Sequence, residues 1–319
     1  MTEQPFFSII MPVYNREAVV GRALLSCLAQ SFDSFEVVAV DDGSSDGSVA
    51  AIRAFGDPRV RLLVHDRNRG RGPARNTAMA AARGRWFVFL DSDDELLPGA
   101  LETIHRRAAA VGPEVGGLRF MCIDEHGTSP EPPHRDQIFD YEGYLRWLDV
   151  AVKQETLPCA RASTFPAVQY ADSHASERWY HLELVRTSLV QACSDVVRRY
   201  HHDVADRITV PQPARSLRYA ADEANDADQV LATHGDALRR LAPATYRATL
   251  SAAATACFMA GRRLDGLRYA ARAWRLMPAS WPLYAVVALG LLHRRLVAEM
   301  QALRARMLRA RMLRARWGG

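Results

Sequence analysis

Asp91 and Asp93, one residue apart in Asp91-Ser-Asp-Asp-Glu, are the residues of this chain best suited to hold a divalent cation. They follow the apolar run Trp86-Phe-Val-Phe-Leu, and alternate residues at a strand end project to one side, so the two carboxylates are expected to converge. Hard oxygen ligands suit Mg2+ or Mn2+, with the remaining positions left to phosphate oxygens and water. A second acidic stretch, Asp41-Asp42-Gly-Ser-Ser-Asp46, closes another apolar run. A basic loop, Asn68-Arg-Gly-Arg-Gly-Pro-Ala-Arg75-Asn76, lies between them. Its glycines let backbone N–H groups approach an anion, the helix opening at Pro73 turns its positive end there, and Arg75 is placed to reach a diphosphate. Each motif alone has a bland reading. Asp-rich triplets make turns and caps, Asp, Gly and Ser make ordinary loops, and a basic turn is commonly just solvated. Together they have the size and polarity of a nucleotide site. Gly70-x-Gly72 fits neither a dinucleotide fingerprint nor a P-loop, and no Gly-x-Ser-x-Gly or HExxH occurs.

The elements that must position these groups alternate between strand and helix. The pattern predicts a strand over Phe7–Val13 and a helix over roughly 17–30 with Val20, Leu24, Cys27 and Leu28 on one face. A strand follows at Phe35–Val40, then a helix near 47–55 and a short strand at Val60–His65. Pro73 opens a helix to about Arg83, Trp86–Leu90 is a strand, and Pro98 opens the next helix. This order argues for a mainly parallel α/β sheet, in which ligands bind beyond the carboxyl ends of the strands. Residues 124–215 carry polar loops, prolines and scattered aromatics without a clear period. Helical patterns then run over 222–240, 244–260, 263–277 and 281–317. The pair Leu250–Gly261 and Leu264–Leu276, followed by Pro278, resembles one tetratricopeptide-type hairpin, where an array needs about three.

The composition is that of a globular protein: 319 residues, 49% apolar and 24% charged. Disordered, collagen-like and disulfide-scaffold classes are excluded. The net charge of +5 is uneven. Residues 294–317 hold eight arginines and one glutamate, a local +7, which leaves the rest at −2 and argues against a nucleic-acid-binding body. Five scattered cysteines without a CxxC are expected as reduced thiols in a cytoplasmic protein. No signal peptide is expected, and the 12-residue apolar run Trp281–Leu292 is shorter than the roughly 20 residues that cross a bilayer. The basic, tryptophan-ended segment 281–317 is a candidate for peripheral attachment to an anionic membrane surface; a solvated or partner-binding helix is its rival, because its five-residue Arg-Ala-Arg-Met-Leu period winds the arginines around the helix.

Four blocks in order, covering residues 6–101, resemble glycosyltransferase family 2, the inverting nucleotide-sugar enzymes of GT-A fold. They are Phe7-Ser-Ile-Ile-Met-Pro-Val-Tyr-Asn-Arg; Phe35-Glu-Val-Val-Ala-Val-Asp-Asp-Gly-Ser-Ser-Asp-Gly; Asn68-x-Gly70 with Ala74-Arg-Asn-Thr-Ala-Met; and Gly84-Arg-Trp-Phe-Val-Phe-Leu-Asp-Ser-Asp-Asp-Glu-Leu-Leu-Pro98. The resemblance implies a GT-A domain over 1–215, divided into a nucleotide-binding half (1–123) and an acceptor half (124–215), with an all-helical appendage over 216–319. It implies a nucleotide-diphosphate sugar donor, UDP-linked by preference, a glycan or lipid-linked acceptor from bacterial surface-glycan assembly, and Mn2+ or Mg2+. By the same resemblance Pro12 and Tyr14 line the nucleotide, with Tyr14 against the base. Asp42 takes a base or ribose hydrogen bond, Arg75 faces the diphosphate, Asp91 the ribose or metal, and Asp93 the metal. Where the family carries Glu-Asp-Trp, this chain reads Glu177-Arg178-Trp179, so Glu177 is the nearest candidate for the general base and Asp172 the second; a helix-start glutamate facing solvent is the plain alternative. Tyr200-His201-His202 resembles a family segment that approaches the diphosphate or metal, which makes His202 a third metal candidate. Two rivals remain: a catalytically silent donor-binding scaffold, motivated by Arg178, and a nucleotidyltransferase, whose glycine-rich N-terminal loop is missing from Met11-Pro-Val-Tyr-Asn.

Overall fold

Strands buried on both faces read as unbroken apolar runs, and the first half of the chain is built from them. β1 (Phe7–Val13) and β2 (Phe35–Asp41) are buried at every position and pair in parallel, Phe7 opposite Phe35 through Val13 opposite Asp41. β3 (Val60–Val64) lies parallel outside β2, and β4 (Trp86–Phe89) lies parallel on the other side of β1. Helices α1 (Val20–Leu28), α2 (Ser48–Arg53) and α3 (Arg71–Ala81) make the crossovers. Val20, Leu24 and Cys27 are buried as their spacing predicts, in one cluster with Phe7, Ile9, Trp86 and Val88. The computed structural model describes residues 4–129, 135–150, 155–172, 174, 177–201, 213–278 and 280–317.

Beyond β4 the sheet changes character. The next elements are β5 (Glu95–Leu96), α4 (Ala100–Ala110), β6 (Val115–Ile123), β7 (Gln137–Phe139), α5 (Tyr141–Val150), β8 (Thr156–Arg161), α6 (Arg178–Thr187) and β9 (Leu189–Arg199). The strand order is β3-β2-β1-β4-β8-β6-β9-β5, with β7 also on β9. β8 inserts antiparallel between β4 and β6, and β5 and β7 pair antiparallel with β9, so the sheet is mixed: parallel from β3 to β4, and in the second half parallel only where β6 meets β9. These antiparallel strands fall in the stretch that shows no period in the sequence.

By its contacts the chain divides into two units, residues 1–204 and 205–319, where the sequence suggested a boundary near 215. The second unit is helical among its described residues: α7 (Pro213–Leu241), α8 (Pro243–Met259), α9 (Arg263–Trp274), α10 (Trp281–Leu292) and α11 (Arg294–Trp317). α8 packs on α7, α9 and α10, and α11 on α7, α8 and α10. Arg262 ties α7 to α9 through Asp228 (2.6 Å) and Asp265 (3.0 Å). The stretch 281–317 is two helices, because His293 is extended (φ −160°, ψ 133°), a break that no glycine or proline announces.

Phe258 of α8 is the wedge between α9 and α10. A Cβ on Gly290 would lie 2.5 Å from its ring, and one on Gly266 would lie 3.0 Å from it. Phe258 is fully buried and has no room to retreat. Gly290→Ala is therefore expected to destabilise the helical unit by about 1–3 kcal/mol, the usual cost of overpacking. Chemical denaturation followed by circular dichroism checks it, and an unchanged midpoint would show that α10 is held elsewhere.

Candidate functional site

The chain leaves β4 at Phe89 and turns at once: the Asp94 amide donates to the Asp91 carbonyl at 3.1 Å. Asp91 and Asp93 are thus gathered by a turn rather than by strand alternation, and the turn adds Asp94, which the sequence reading passed over. Carboxylate oxygens of all three lie within 4.8 Å of one another. Each is faced by an arginine: Arg75 Nη2 lies 2.7 Å from Asp91, Arg16 Nε 3.6 Å from Asp93, and Arg198 Nη1 3.0 Å from Asp94. Burial pushes the Asp94 carboxyl up to about 7, against the pull of Arg198 and with the push of Asp91 and Asp93. Three converging hard oxygen donors whose mutual repulsion is only partly offset fit a small divalent cation. The signal for Asp94 was present in the sequence as a third carboxylate in Asp-Ser-Asp-Asp.

Asp42 is held within the chain by the basic loop. Its Oδ1 accepts the Arg69 amide (3.0 Å) and meets His65 Nδ1 (2.7 Å), and its Oδ2 accepts the Gly70 amide (2.7 Å). The loop amides that looked ready for a ligand anion hold the protein's own carboxylate at the start of α3. Both Asp42 oxygens are engaged, so Asp42 anchors the basic loop. The helix accordingly begins at Arg71, two residues before Pro73, with Gly70 at φ 109° as its N-cap. The neighbouring Asp41 is engaged through one oxygen. Its Oδ2 accepts the Ser44 amide at 2.9 Å, while its Oδ1 is buried without a hydrogen-bond partner. Gly43 (φ 70°) makes the following turn, where a Cβ would fall 2.5 Å from the Arg67 backbone. Tyr14 is exposed just past the end of β1, and Pro12 is buried opposite Val40 of β2.

Arg75 is the pivot of the site. Its buried guanidinium pairs with Asp91 through Nη2 and contacts Glu177 through Nη1, while its Nε has no hydrogen-bond partner. Burial works against its charge, but Glu177 above all keeps it firmly protonated. Tyr170 supports it from one face at 5.2 Å and stacks in turn on Tyr180, centroids 4.1 Å apart and planes 5° from parallel. The Asn76 side chain clamps Tyr170, donating to its carbonyl (2.9 Å) and accepting its amide (3.0 Å). Asn76 is thereby explained, a residue that the sequence flagged only as part of a motif.

Glu177 stands just ahead of α6 and faces this centre, with Arg71 at 3.2 Å and His181 at 3.7 Å in addition to Arg75. Burial alone would raise its pKa, but Arg75 and then Arg71 outweigh it and hold the carboxyl well below the usual range. His181 is pushed down to about 4 by burial and by Arg119, so its imidazole is neutral. Asp172, the second base candidate, is 79% exposed and lies 3.6 Å from Arg69. It is not drawn into the cluster. His202 lies outside the described residues; His201 Nε2 bonds Glu95 at 2.7 Å, next to Asp94. Because Tyr170 orients Arg75, Tyr170→Ala is expected to weaken nucleoside diphosphate binding about tenfold or less while the fold persists, as measured by calorimetry. Equal affinity would show that Arg75 needs no such support.

The mixed sheet, with its acidic turn after β4 and its arginine-rich α3, is a GT-A fold, and solved structures share it. Staphylococcus aureus TarS residues 1–349, in complex with UDP-GlcNAc, superposes with a TM-score of 0.59 at 16% identity, covering 92% of this chain and 90% of that one. The mannosyltransferase PcManGT of Pyrobaculum calidifontis, with GDP-Man and Mn2+, gives 0.54 at 18% identity over 95% and 88%. The family model "Glycosyl transferase family 2" matches residues 8–159. Among curated relatives, the succinoglycan biosynthesis protein ExoO of Rhizobium meliloti is 46% identical over 125 residues, 39% of this chain and 36% of that protein. The Escherichia coli UDP-Glc:alpha-D-GlcNAc-diphosphoundecaprenol beta-1,3-glucosyltransferase WfgD is 41% identical over 95 residues, 30% of this chain and 38% of that protein. The family match thus takes in just under half of the chain, and the chain spans well under half the length of these curated relatives.

Proposed function

We propose that the chain transfers a sugar, with inversion at the anomeric carbon, from a UDP-sugar to a hydroxyl of a lipid-linked glycan at the inner face of a membrane. The observation that carries this reading is the one guanidinium, Arg75, that joins Asp91 of the acidic turn to Glu177. It sets a diphosphate-binding group between carboxylates that suit a cation and a carboxylate that suits a proton. The WfgD name, with its UDP-linked donor and diphosphoundecaprenol acceptor, supports the choice of substrates.

Mn2+ or Mg2+ on Asp91, Asp93 and Asp94 would supply positive charge for the departing nucleoside diphosphate. Tyr14 offers its exposed ring to the base, and the unpaired Asp41 Oδ1 offers an acceptor to the base or ribose in place of Asp42. Arg75 and Arg71 bind donor phosphates, and in doing so they turn part of their charge away from Glu177. The carboxylate freed of its cations becomes a stronger base once donor is bound, and it then takes the proton of the attacking acceptor hydroxyl. His181, neutral beside it, offers no competing positive charge.

A screen of UDP- and GDP-sugars for nucleotide release, with Mn2+, Mg2+ or chelator, tests the reading. Release confined to UDP-sugars and dependent on metal supports it. UDP binding without release from any donor favours the second reading, a donor-binding scaffold, for which Arg178 beside a tightly paired Glu177 is the motive.

A further inference from the structure

We propose that α11 docks the protein on an anionic lipid surface through a stripe on its outward side. The helix carries two apolar faces. Val297, Ala298 and Ala302 are buried within the helical unit, while Leu296, Leu303 and Met307 are 42%, 57% and 52% exposed. At about 100° per residue, Leu303 and Met307 lie roughly 20° to either side of Leu296, so the three form one line up the helix. Arg304 and Arg306, both exposed, stand at about +80° and −80° from that line. The stripe is therefore flanked by a cation on each side, the arrangement in which apolar side chains enter the acyl boundary and arginines spread to the phosphates.

The corner that leads into the helix repeats the pattern. Six consecutive residues, Leu291-Leu-His-Arg-Arg-Leu296, are exposed, because the extended His293 turns both Leu292 and the Arg294-Arg295 pair outward. The winding arginine repeat argues against a clean amphipathic face along its full length, but the stripe, over residues 296–307, takes in only its first copy, whose Arg304 and Arg306 flank the line and whose Met307 ends it. Charge selects the occupant. Residues 294–317 hold eight arginines against Glu299 alone, which matches an anionic leaflet and would repel a second copy of the same helix. No described helix is long and apolar enough to cross a membrane, so the contact is a surface one. The inference extends the lipid-linked acceptor proposed above, yet it stands on residues outside that site.

Co-sedimentation of the full chain with vesicles decides it. The protein is expected to pellet with phosphatidylcholine vesicles containing phosphatidylglycerol, to stay in solution with phosphatidylcholine alone, and to be released by high salt. Leu303→Glu with Met307→Glu, and separately Arg304→Gln with Arg306→Gln, should each lower partitioning at least about tenfold, the loss expected from two interfacial groups. Glu299→Gln should raise it. Nucleotide release from donor in solution should be unchanged in all three, which separates failure of docking from failure of the transferase reading. Equal pelleting with neutral vesicles, or unaltered binding by either double variant, would overturn the proposal. So would a stripe variant that converts a dimer to a monomer in the absence of lipid.

Discussion

Asp93→Ala is expected to abolish the metal-dependent part of UDP binding and to leave the fold intact. Asp93 is a less disruptive choice for this test than Asp94. Its side chain is partly exposed, and its arginine neighbour, Arg16, lies at 3.6 Å. Asp94 is a poorer choice for this test, because Arg198 lies behind it, buried, within 3.0 Å of its carboxylate. Stripping one partner from such a pair costs about 3–5 kcal/mol and would confuse lost binding with lost structure. The loss at Asp93 should be at least about a hundredfold in affinity at saturating Mn2+, since even outer-shell partners of a metal contribute 10–100-fold. Titration calorimetry of UDP with and without Mn2+ measures it directly. Equal UDP affinity in wild type and variant, insensitive to the cation, would remove Asp93 from the metal site and with it the metal-assisted reading.

What the sequence disclosed and what it hid follow from the range of the interactions involved. β1, β2 and β4 are legible because strands buried on both faces must be apolar throughout, a property each carries within its own seven or fewer residues. β7 and β8 are not, since their identity depends on antiparallel pairing with strands dozens of residues away. The same distinction holds within the site. Asp91, Asp93 and Arg75 come together as the sequence suggested, although a turn rather than strand alternation gathers the two aspartates, whereas the hold of the basic loop on Asp42 was not legible. Nothing local to Asp41-Asp42 tells which carboxylate will turn back to the loop at His65–Gly70, and that choice, made by two backbone amides and a histidine, leaves Asp41 Oδ1 buried without a partner. Tyr170 and Asn76, 94 residues apart, form a mutual clamp that no local pattern encodes.

Glu177→Gln is expected to lower turnover at least about a hundredfold, the loss typical of a general base. Its effect on donor binding should be small and in the direction of tighter affinity. In the free protein the Glu177 carboxylate competes with the donor for Arg75 and Arg71, and the neutral amide competes less. A base held well below its usual pKa by two arginines is a weak one, so the reading requires that donor phosphates relieve it. That requirement has its own signature. The acid limb of kcat, which reports the donor-bound enzyme, should lie at higher pH than that of acceptor-independent properties of the free protein. The sign follows from the charges: moving positive charge from a carboxylate to a phosphate raises the carboxyl pKa, so protonation of Glu177 silences the enzyme at a less acidic pH. In the Gln variant this limb should vanish along with the activity. Should Glu177→Gln retain full turnover while Asp172→Asn does not, the exposed carboxylate is the base and Glu177 serves only to hold Arg75 in place. Should neither substitution matter, proton transfer does not limit the reaction, and donor binding through Arg75 is the main task of the centre.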